Sequence, residues 1–383
     1  MDEVLLNKIA SNVGTPTYVY DIRKLKNRIN YIKEHLPSRV EICYAIKANT
    51  FIVKDIEQDV FRFEVCSPGE RKICQKMNVD DSKILISGVN KSNEEIQEIM
   101  DSSNIQLFSV ESMNQFELLK NTNKKIDILL RLTSGNQFGI NKSEIEEIIK
   151  NRNEYPNINI KGIQFFSGTQ KTSTKILKKE VEKLEEFIKE LKDKYDFTTN
   201  ELEYGTGFPV YYFKNSEFDE EEYFKEFSEI INNLDYDGKI ILEIGRSIVA
   251  SCGYYITKII DKKTNKDQNY AIVDGGINHV VYYGQSMAMK VPYMDIYPKR
   301  DNLKKERWNI CGSLCTINDI LIKQLEETIE IGDIIVFKNV GAYSATEGIA
   351  LFLSRDLPKV IKLNEDNSIE IIRDNTSTYQ LNS

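Results

Sequence analysis

Histidine is nearly absent from this chain: its 383 residues include two, His35 and His279. That count excludes a multi-histidine metal centre and argues against a histidine-centred catalytic relay. A basic excess is missing too. Lysine and arginine total 51 against 59 aspartates and glutamates, a net charge of −8 with a pI near 5.2. The surface as a whole therefore offers no footprint for nucleic acid or an anionic membrane. The six cysteines (Cys43, Cys66, Cys74, Cys252, Cys311 and Cys315) form no C-x-x-C pair and follow no secreted disulfide spacing, which points to a reducing cytoplasm. No apolar run reaches the roughly 18 residues of a membrane span. The greasiest long segment, residues 240–260, is interrupted by Glu243 and Arg246, and the opening Met1, Asp2, Glu3 carries the wrong charge for a signal peptide.

What is present is a globular composition, 41% hydrophobic and 29% charged, long enough for two or three units at about 150 residues each. From Val40 onward, short β-rich runs alternate with stretches of helical period. The runs are "VEICYAI", "FRFEVCS", "KILISG", "IQLFSVE", "DILLRL", "IKGIQFF", "ELEY" and "KIILEIG". Eight is the number that closes a TIM barrel. Segments between them, such as "KILKKEVEKLEEFIKELKDKY", repeat apolar residues three and four apart, with Lys and Glu on the other face, and read as outer helices. After Tyr255 the pattern turns strand-like with little helical period. The expectation is an α/β chain: a barrel over 24–255, and a mostly β domain from 1–23 and 256–383.

In such a barrel the chemistry collects where strands end. The first run delivers Lys47, a residue type suited to imine formation, although one lysine after a strand, taken alone, is more readily read as a surface residue. The seventh leads to Gly205 and Gly207, whose small size lets backbone N–H groups approach an anion. The eighth delivers Glu243, Gly245 and Arg246, which taken alone are also compatible with a structural ion pair. Together, an imine lysine, a phosphate loop and a carboxylate for a ring nitrogen are the parts that bind pyridoxal 5′-phosphate.

These residues sit in "YAIKAN", "FFSGTQ", "YGTGFP", "EIGRS", "VDGG", "GSLCTIND" and "GAYS". In that order they make the chain resemble the fold-type III, alanine-racemase-like pyridoxal phosphate enzymes of the ornithine and diaminopimelate decarboxylase group. The resemblance implies that Lys47 carries the cofactor as an aldimine and that Glu243 meets the pyridine nitrogen. Thr169, Gly205, Gly207, Gly245, Arg246 and Tyr343 would hold the phosphate, with Arg131 beside the reactive face. It further implies a homodimer in which Cys315 acts from the neighbouring subunit and returns a proton to Cα. Taken by itself, Cys315 reads as a small buried apolar residue.

The departures from that family's pattern bear on substrate. Phe166 stands where a histidine usually stacks on the ring, and Thr206 interrupts the usual glycine run. Thr316 replaces the acid that recognises a distal ammonium. Asp319 and Phe352 belong to the same expected substrate-binding set. The chain looks closer to the branch acting on glutamate tethered to an acyl-carrier protein. A basic stretch from Lys290 to Arg307 could steer such an acidic partner or be no more than a solvated loop. Decarboxylation of a free amino acid such as diaminopimelate or ornithine stays open as an alternative. So do racemisation, against which Glu243 weighs, and a catalytically silent pyridoxal phosphate-binding regulator.

Overall fold

The computed structural model describes residues 3–214, 218–300 and 303–383. The chain clusters into two compact units. One, the barrel unit, is Ile29–Pro209 with Asp219–Ser247; the other, the sheet unit, is Met1–Arg28 with Val210–Phe218 and Ile248–Ser383. These divisions differ from the expected 24–255 at 24–28, 248–255 and 210–218. The last segment joins the sheet unit because Phe213 bridges to Pro292, Lys214 N–H donates to Val291 C=O (2.9 Å) and Tyr293 N–H donates to Tyr212 C=O (3.0 Å).

Strands are numbered in chain order, β1 (Thr17–Asp21) lying in the sheet unit. The barrel is built from β2 (Val40–Ala45), β3 (Arg62–Val65), β4 (Ile84–Ile86), β5 (Leu107–Val110), β6 (Ile126–Leu132), β7 (Ile158–Phe166), β8 (Glu201–Gly205) and β9 (Lys239–Ile244). These are the eight expected runs. All pair in parallel, and β9 returns to β2, from Val40 opposite Ile240 to Tyr44 opposite Ile244.

The helices between them start with a shared local grammar. Ser67, Ser92, Ser112 and Asp219 each accept the backbone N–H three residues on, and Glu144 accepts Asn141 N–H; each such cap satisfies a donor that the first helical turn leaves open. The longest helix, Thr174–Tyr195, buries Leu177, Val181, Leu184, Phe187 and Leu191, a stripe at helical spacing. Successive strand residues alternate between the helix-covered outside and the lumen. In β8, Tyr204 reaches outward to Glu180 on that helix (2.5 Å), while Glu203 points inward to Arg62 of β3.

The sheet unit combines β1 with β10 (Gly253–Asn265), β11 (Gln268–Val273), β12 (Met294–Tyr297), β13 (Glu306–Cys311), β14 (Ile320–Glu327), β15 (Ile334–Lys338), β16 (Lys359–Leu363) and β17 (Ile369–Arg373). The strand-like runs read in the sequence here, "GYYITKII", "NYAIVDGG", "RWNICGSL", "DIIVFKNVGAY", "KVIKL" and "IEIIR", fall on β10, β11, β13, β15, β16 and β17, and β1, β12 and β14 go unread. β1 and β12 are short, and β14 places apolar residues at 320, 321, 322 and 325, a spacing that resembles a helix because Gln324 (φ 52°) interrupts the strand's alternation. Leu6 and Ile9 of the helix Glu3–Asn12 pack on Val19, Ile256, Val336 and Ile361 to form this unit's core.

Both histidines do structural work. His279 Nδ1 meets Tyr255 Oη (3.0 Å) and its Nε2 meets Asp356 C=O (2.9 Å), and His35 stacks on Tyr31 with centroids 4.1 Å apart. The basic stretch near Lys304 is largely neutralised. Arg300 forms a fork on Asp333 (2.6 and 2.7 Å), and Lys299, Lys305 and Arg307 pair with Asp295, Glu327 and Glu326. Among the described residues, no helix is long and apolar enough to cross a membrane.

Candidate functional site

Lys47 leaves β2 in the short turn Ile46–Ala48. Its Nζ donates to the Glu64 carboxylate, lies 3.6 Å from Glu243 Oε1 and 3.5 Å from Cys66 Sγ. Two buried carboxyls thus compete for one ammonium, and the nearer wins. Burial alone would raise Glu64, but Lys47 more than offsets it and holds the carboxyl at about 2. Burial, reinforced by the Glu64 charge, pushes Glu243 up to about 8 against the pull of Lys47.

Strand register sets Gly205 beside both Phe166 and Glu243. A side chain at Gly205 would place its Cβ 2.4 Å from the Phe166 ring, so the glycine makes room for that ring. Gly207 has φ +62°, and a Cβ there would lie 2.2 Å from Gly168 C=O. Here the two loops touch, with Lys171 N–H donating to Gly207 C=O (2.9 Å). Arg246 Nε donates to Thr169 Oγ1 (3.3 Å), bringing two predicted site residues together. Gly245 packs on Ala48, where a side chain at the glycine would bring the two Cβ atoms to 3.0 Å. Glu180 fixes the loop from outside, accepting from Ser167 Oγ, Lys171 Nζ (2.7 Å) and Tyr204 Oη (2.5 Å). The Thr206 hydroxyl is buried in this cradle with no hydrogen-bond partner among the described residues.

Arg131 lies on the lumen wall at the end of β6. Glu111 accepts from its Nη1 (2.7 Å), and the Phe138 ring lies 4.9 Å from its guanidinium. Deeper in the lumen, Arg62 Nη2 donates to Glu201 (2.6 Å) and its Nε lies 3.1 Å from Glu203. Glu64, Glu111, Arg62, Glu203 and Gln164 were absent from the expected site. One signal could have found Arg62, Glu64 and Glu203: "FRFEV" and "ELEYG" alternate charged with apolar residues, and the charged face is the one that turns away from the covering helices; Glu111 and Gln164 carry no such signal.

The remaining predicted residues lie in the sheet unit. Cys315 is exposed and Thr316 half-buried, on the loop between β13 and β14. Asp319, expected to bind substrate, anchors this loop from within. Its carboxylate accepts Leu314 N–H (2.7 Å) and Ile277 N–H (2.9 Å), and the residue is 2% exposed. A buried acid engaged by two backbone donors is a fastening for the turn that presents Cys315. Tyr343 is half-buried with a left-handed backbone (φ 64°), and Phe352 is exposed on a short turn.

A family model described as "Pyridoxal-dependent decarboxylase, pyridoxal binding domain" matches residues 22–250. The chain is 28% identical to the 2-[(L-alanin-3-ylcarbamoyl)methyl]-2-hydroxybutanedioate decarboxylase of Staphylococcus aureus, covering 92% of this chain and 95% of that one. It is 24% identical to the L-glutamyl-[BtrI acyl-carrier protein] decarboxylase of Niallia circulans, covering 97% and 94%. Among solved structures, the diaminopimelate decarboxylase of M. jannaschii superposes with a TM-score of 0.86 at 25% identity, covering 98% of this chain and 92% of that one.

Proposed function

Because this chain belongs to the pyridoxal-dependent decarboxylases, we propose that it removes the α-carboxylate of an amino acid whose far end carries no ammonium group, as in a carrier-protein-tethered aminoacyl thioester. The class itself, a carboxy-lyase using pyridoxal 5′-phosphate, follows from the family. The barrel's donor set fits that cofactor: an amine beside a buried acid, and a glycine cradle with a cation and a buried hydroxyl, that of Thr206, which has no hydrogen-bond partner among the described residues. Lys47 would hold its carbonyl carbon and Glu243 its ring nitrogen, with Phe166 at the ring face. Thr169, Gly205, Gly207, Gly245, Arg246 and Tyr343 would hold its phosphate. When bound, the cofactor supplies an electron sink for the pair left on Cα as CO2 departs.

The chain's own residues do the rest. Glu64 grips Lys47 Nζ and keeps it at the barrel mouth. Glu243, whose burial favours a bound proton, places that proton where a ring nitrogen would take it. Arg131, fixed by Glu111 and Phe138, sets a positive charge on the wall beside them. Cys315 Sγ, on its fastened loop, gives a proton to Cα from a second copy of the chain.

The observation that carries the substrate reading is Thr316: a neutral hydroxyl follows the cysteine where the family's diamino-acid enzymes place an acid. Two relatives support it, being named for amino acids joined onward, one through a carbamoylmethyl link to a hydroxybutanedioate and one to an acyl-carrier protein. The test is CO2 release from carrier-loaded glutamate, free glutamate, diaminopimelate, lysine and ornithine offered side by side, with Lys47→Ala as the blank. Release from the tethered substrate is expected. Activity confined to free diamino acids would refute the proposal.

A further inference from the structure

Below Lys47 and Glu243 lies a second buried acid that the reaction as described does not use. Glu203 has no solvent exposure, and Gln164 links it to Glu243. The single amide nitrogen of Gln164 lies 3.1 Å from Glu203 Oε1 and 3.5 Å from Glu243 Oε2, so one NH2 group faces both carboxyls. Gln164 Oε1 is buried without a hydrogen-bond partner among the described residues, and Glu203 Oε2 meets Arg62 Nε as an ion pair (3.1 Å). A polar atom buried without a partner costs stability, and an apolar pair of similar volume would not. Packing alone therefore gives no reason for this pair.

The charge balance of the lumen supplies one. Glu64, Glu111 and Glu201 each sit on their own cation: Lys47, Arg131 and Arg62. Glu203 and Glu243 have no cation of their own: Glu203 shares Arg62 with Glu201, and Glu243 shares Lys47 with Glu64. Facing Glu243 are Lys47 and Cys43 from the β2 side, Glu64 from β3, Arg131 from β6, Gln164 from β7 and Glu203 from β8. Facing Glu203 are Arg62 and Glu64 from β3, Cys43 from β2, Gln164 from β7 and its strand neighbour Glu201. Arg62 is divided between Glu201 and Glu203 and Lys47 between Glu64 and Glu243, so the five acids Glu64, Glu111, Glu201, Glu203 and Glu243 outnumber the three cations Lys47, Arg62 and Arg131 that pair with them in the lumen.

We propose that Glu203 is a positioning residue and the remote counter-charge of this site, acting through Gln164 to orient Glu243 and to keep a proton on the nitrogen base that Glu243 faces. This rests on the reading that Glu243 faces the ring nitrogen of pyridoxal phosphate. One proton is held between that nitrogen and Glu243, and the buried charge of Glu203 opposes its loss to solvent. Consistent with this, the Glu203 charge is among the influences that strengthen proton binding at Glu243.

The test uses the full chain loaded with pyridoxal phosphate labelled with nitrogen-15 at the ring nitrogen, whose chemical shift reports protonation directly. Wild type, Glu203→Gln and Glu203→Met are titrated from neutral to alkaline pH. Two carboxyls bridged by one amide interact strongly enough that removing the Glu203 charge should lower the midpoint of nitrogen deprotonation by about one pH unit, roughly tenfold in proton affinity. Glu203→Asp, which keeps the charge, should restore most of the shift. Glu203→Gln and Glu203→Met curves that overlay wild type would overturn the inference. Glu243→Gln separates the two readings: if it leaves the curve unmoved, the assignment of Glu243 fails, and if it moves the curve while Glu203→Gln does not, this inference alone fails.

Discussion

Replacing Arg62 with methionine should destabilise the barrel unit by about 3–5 kcal/mol, because it strands the fully buried Glu203 and deprives the half-buried Glu201 of its nearest cation. The separations, 2.6 Å to Glu201 and 3.1 Å to Glu203, correspond to gross attractions of about 6 and about 5 kcal/mol at an effective dielectric near 20. Most of that gain is offset by the desolvation of three charged groups, so the intact cluster contributes little net stability. Its loss is costly for a different reason: Glu203, fully buried, would keep its desolvation penalty with nothing to balance it. Glu201 retains Lys161 at 3.9 Å and suffers less.

The damage should depend on pH, and the sign follows from Glu203. Burial already pushes its carboxyl from 4.5 up to about 7 against the opposing pull of Arg62, and without Arg62 it rises further. A carboxyl raised on folding binds its proton more tightly in the folded state, so stability is greatest below the unfolded value and is lost as pH rises through the folded one. Arg62→Met should therefore lose more stability near pH 8 than near pH 5. Urea unfolding followed by far-UV circular dichroism reports mainly the barrel's helices. The lone tryptophan, Trp308 on β13, gives a separate fluorescence signal from the sheet unit. Arg62→Met/Glu203→Met, which removes the stranded acid as well, should recover part of the loss. Coincident unfolding curves for Arg62→Met and wild type, or an equal loss at both pH values, would refute the reasoning.

Cys315→Ala should slow turnover or misdirect protonation of Cα while leaving the visible absorbance of bound pyridoxal phosphate as in wild type. Kinetics unchanged in product formation and stereochemistry would remove Cys315 from the reaction. Glu64 is held at about 2 because Lys47 overrides its burial; a carboxyl lowered on folding contributes stability above its unfolded value that is lost as pH falls through the folded one. Glu64→Gln should accordingly flatten the decline of the thermal midpoint between about pH 4.5 and about pH 2, and an unchanged acid slope would show that the Lys47 pair carries no such linkage.

The barrel was legible because its signal is local. Each of the eight strands is a short β-rich run followed by a segment of helical period, and alternation and capping residues are read within a dozen positions. Lys47, Glu243 and the glycine-bearing loops could be picked out as candidates because strand ends carry the chemistry in this architecture. β14 was not legible, since the left-handed Gln324 breaks the period on which strand reading depends. Nor was the part Asp319 plays in fastening its loop, since that needs the N–H of Ile277 from a distant stretch of chain.

The sequence by itself determined the two architectures, the cofactor class and the neutral residue after Cys315, since each is written in residue identities along short stretches. Only the tertiary structure decided who partners whom in the lumen. Lys47 meets Glu64 rather than Glu243 alone, Arg62 crosses the barrel to Glu203, and one amide of Gln164 spans two acids. Closure of the sheet brings together residues more than a hundred positions apart, and burial with distance then fixes which carboxyl keeps its proton. No window of sequence contains either quantity.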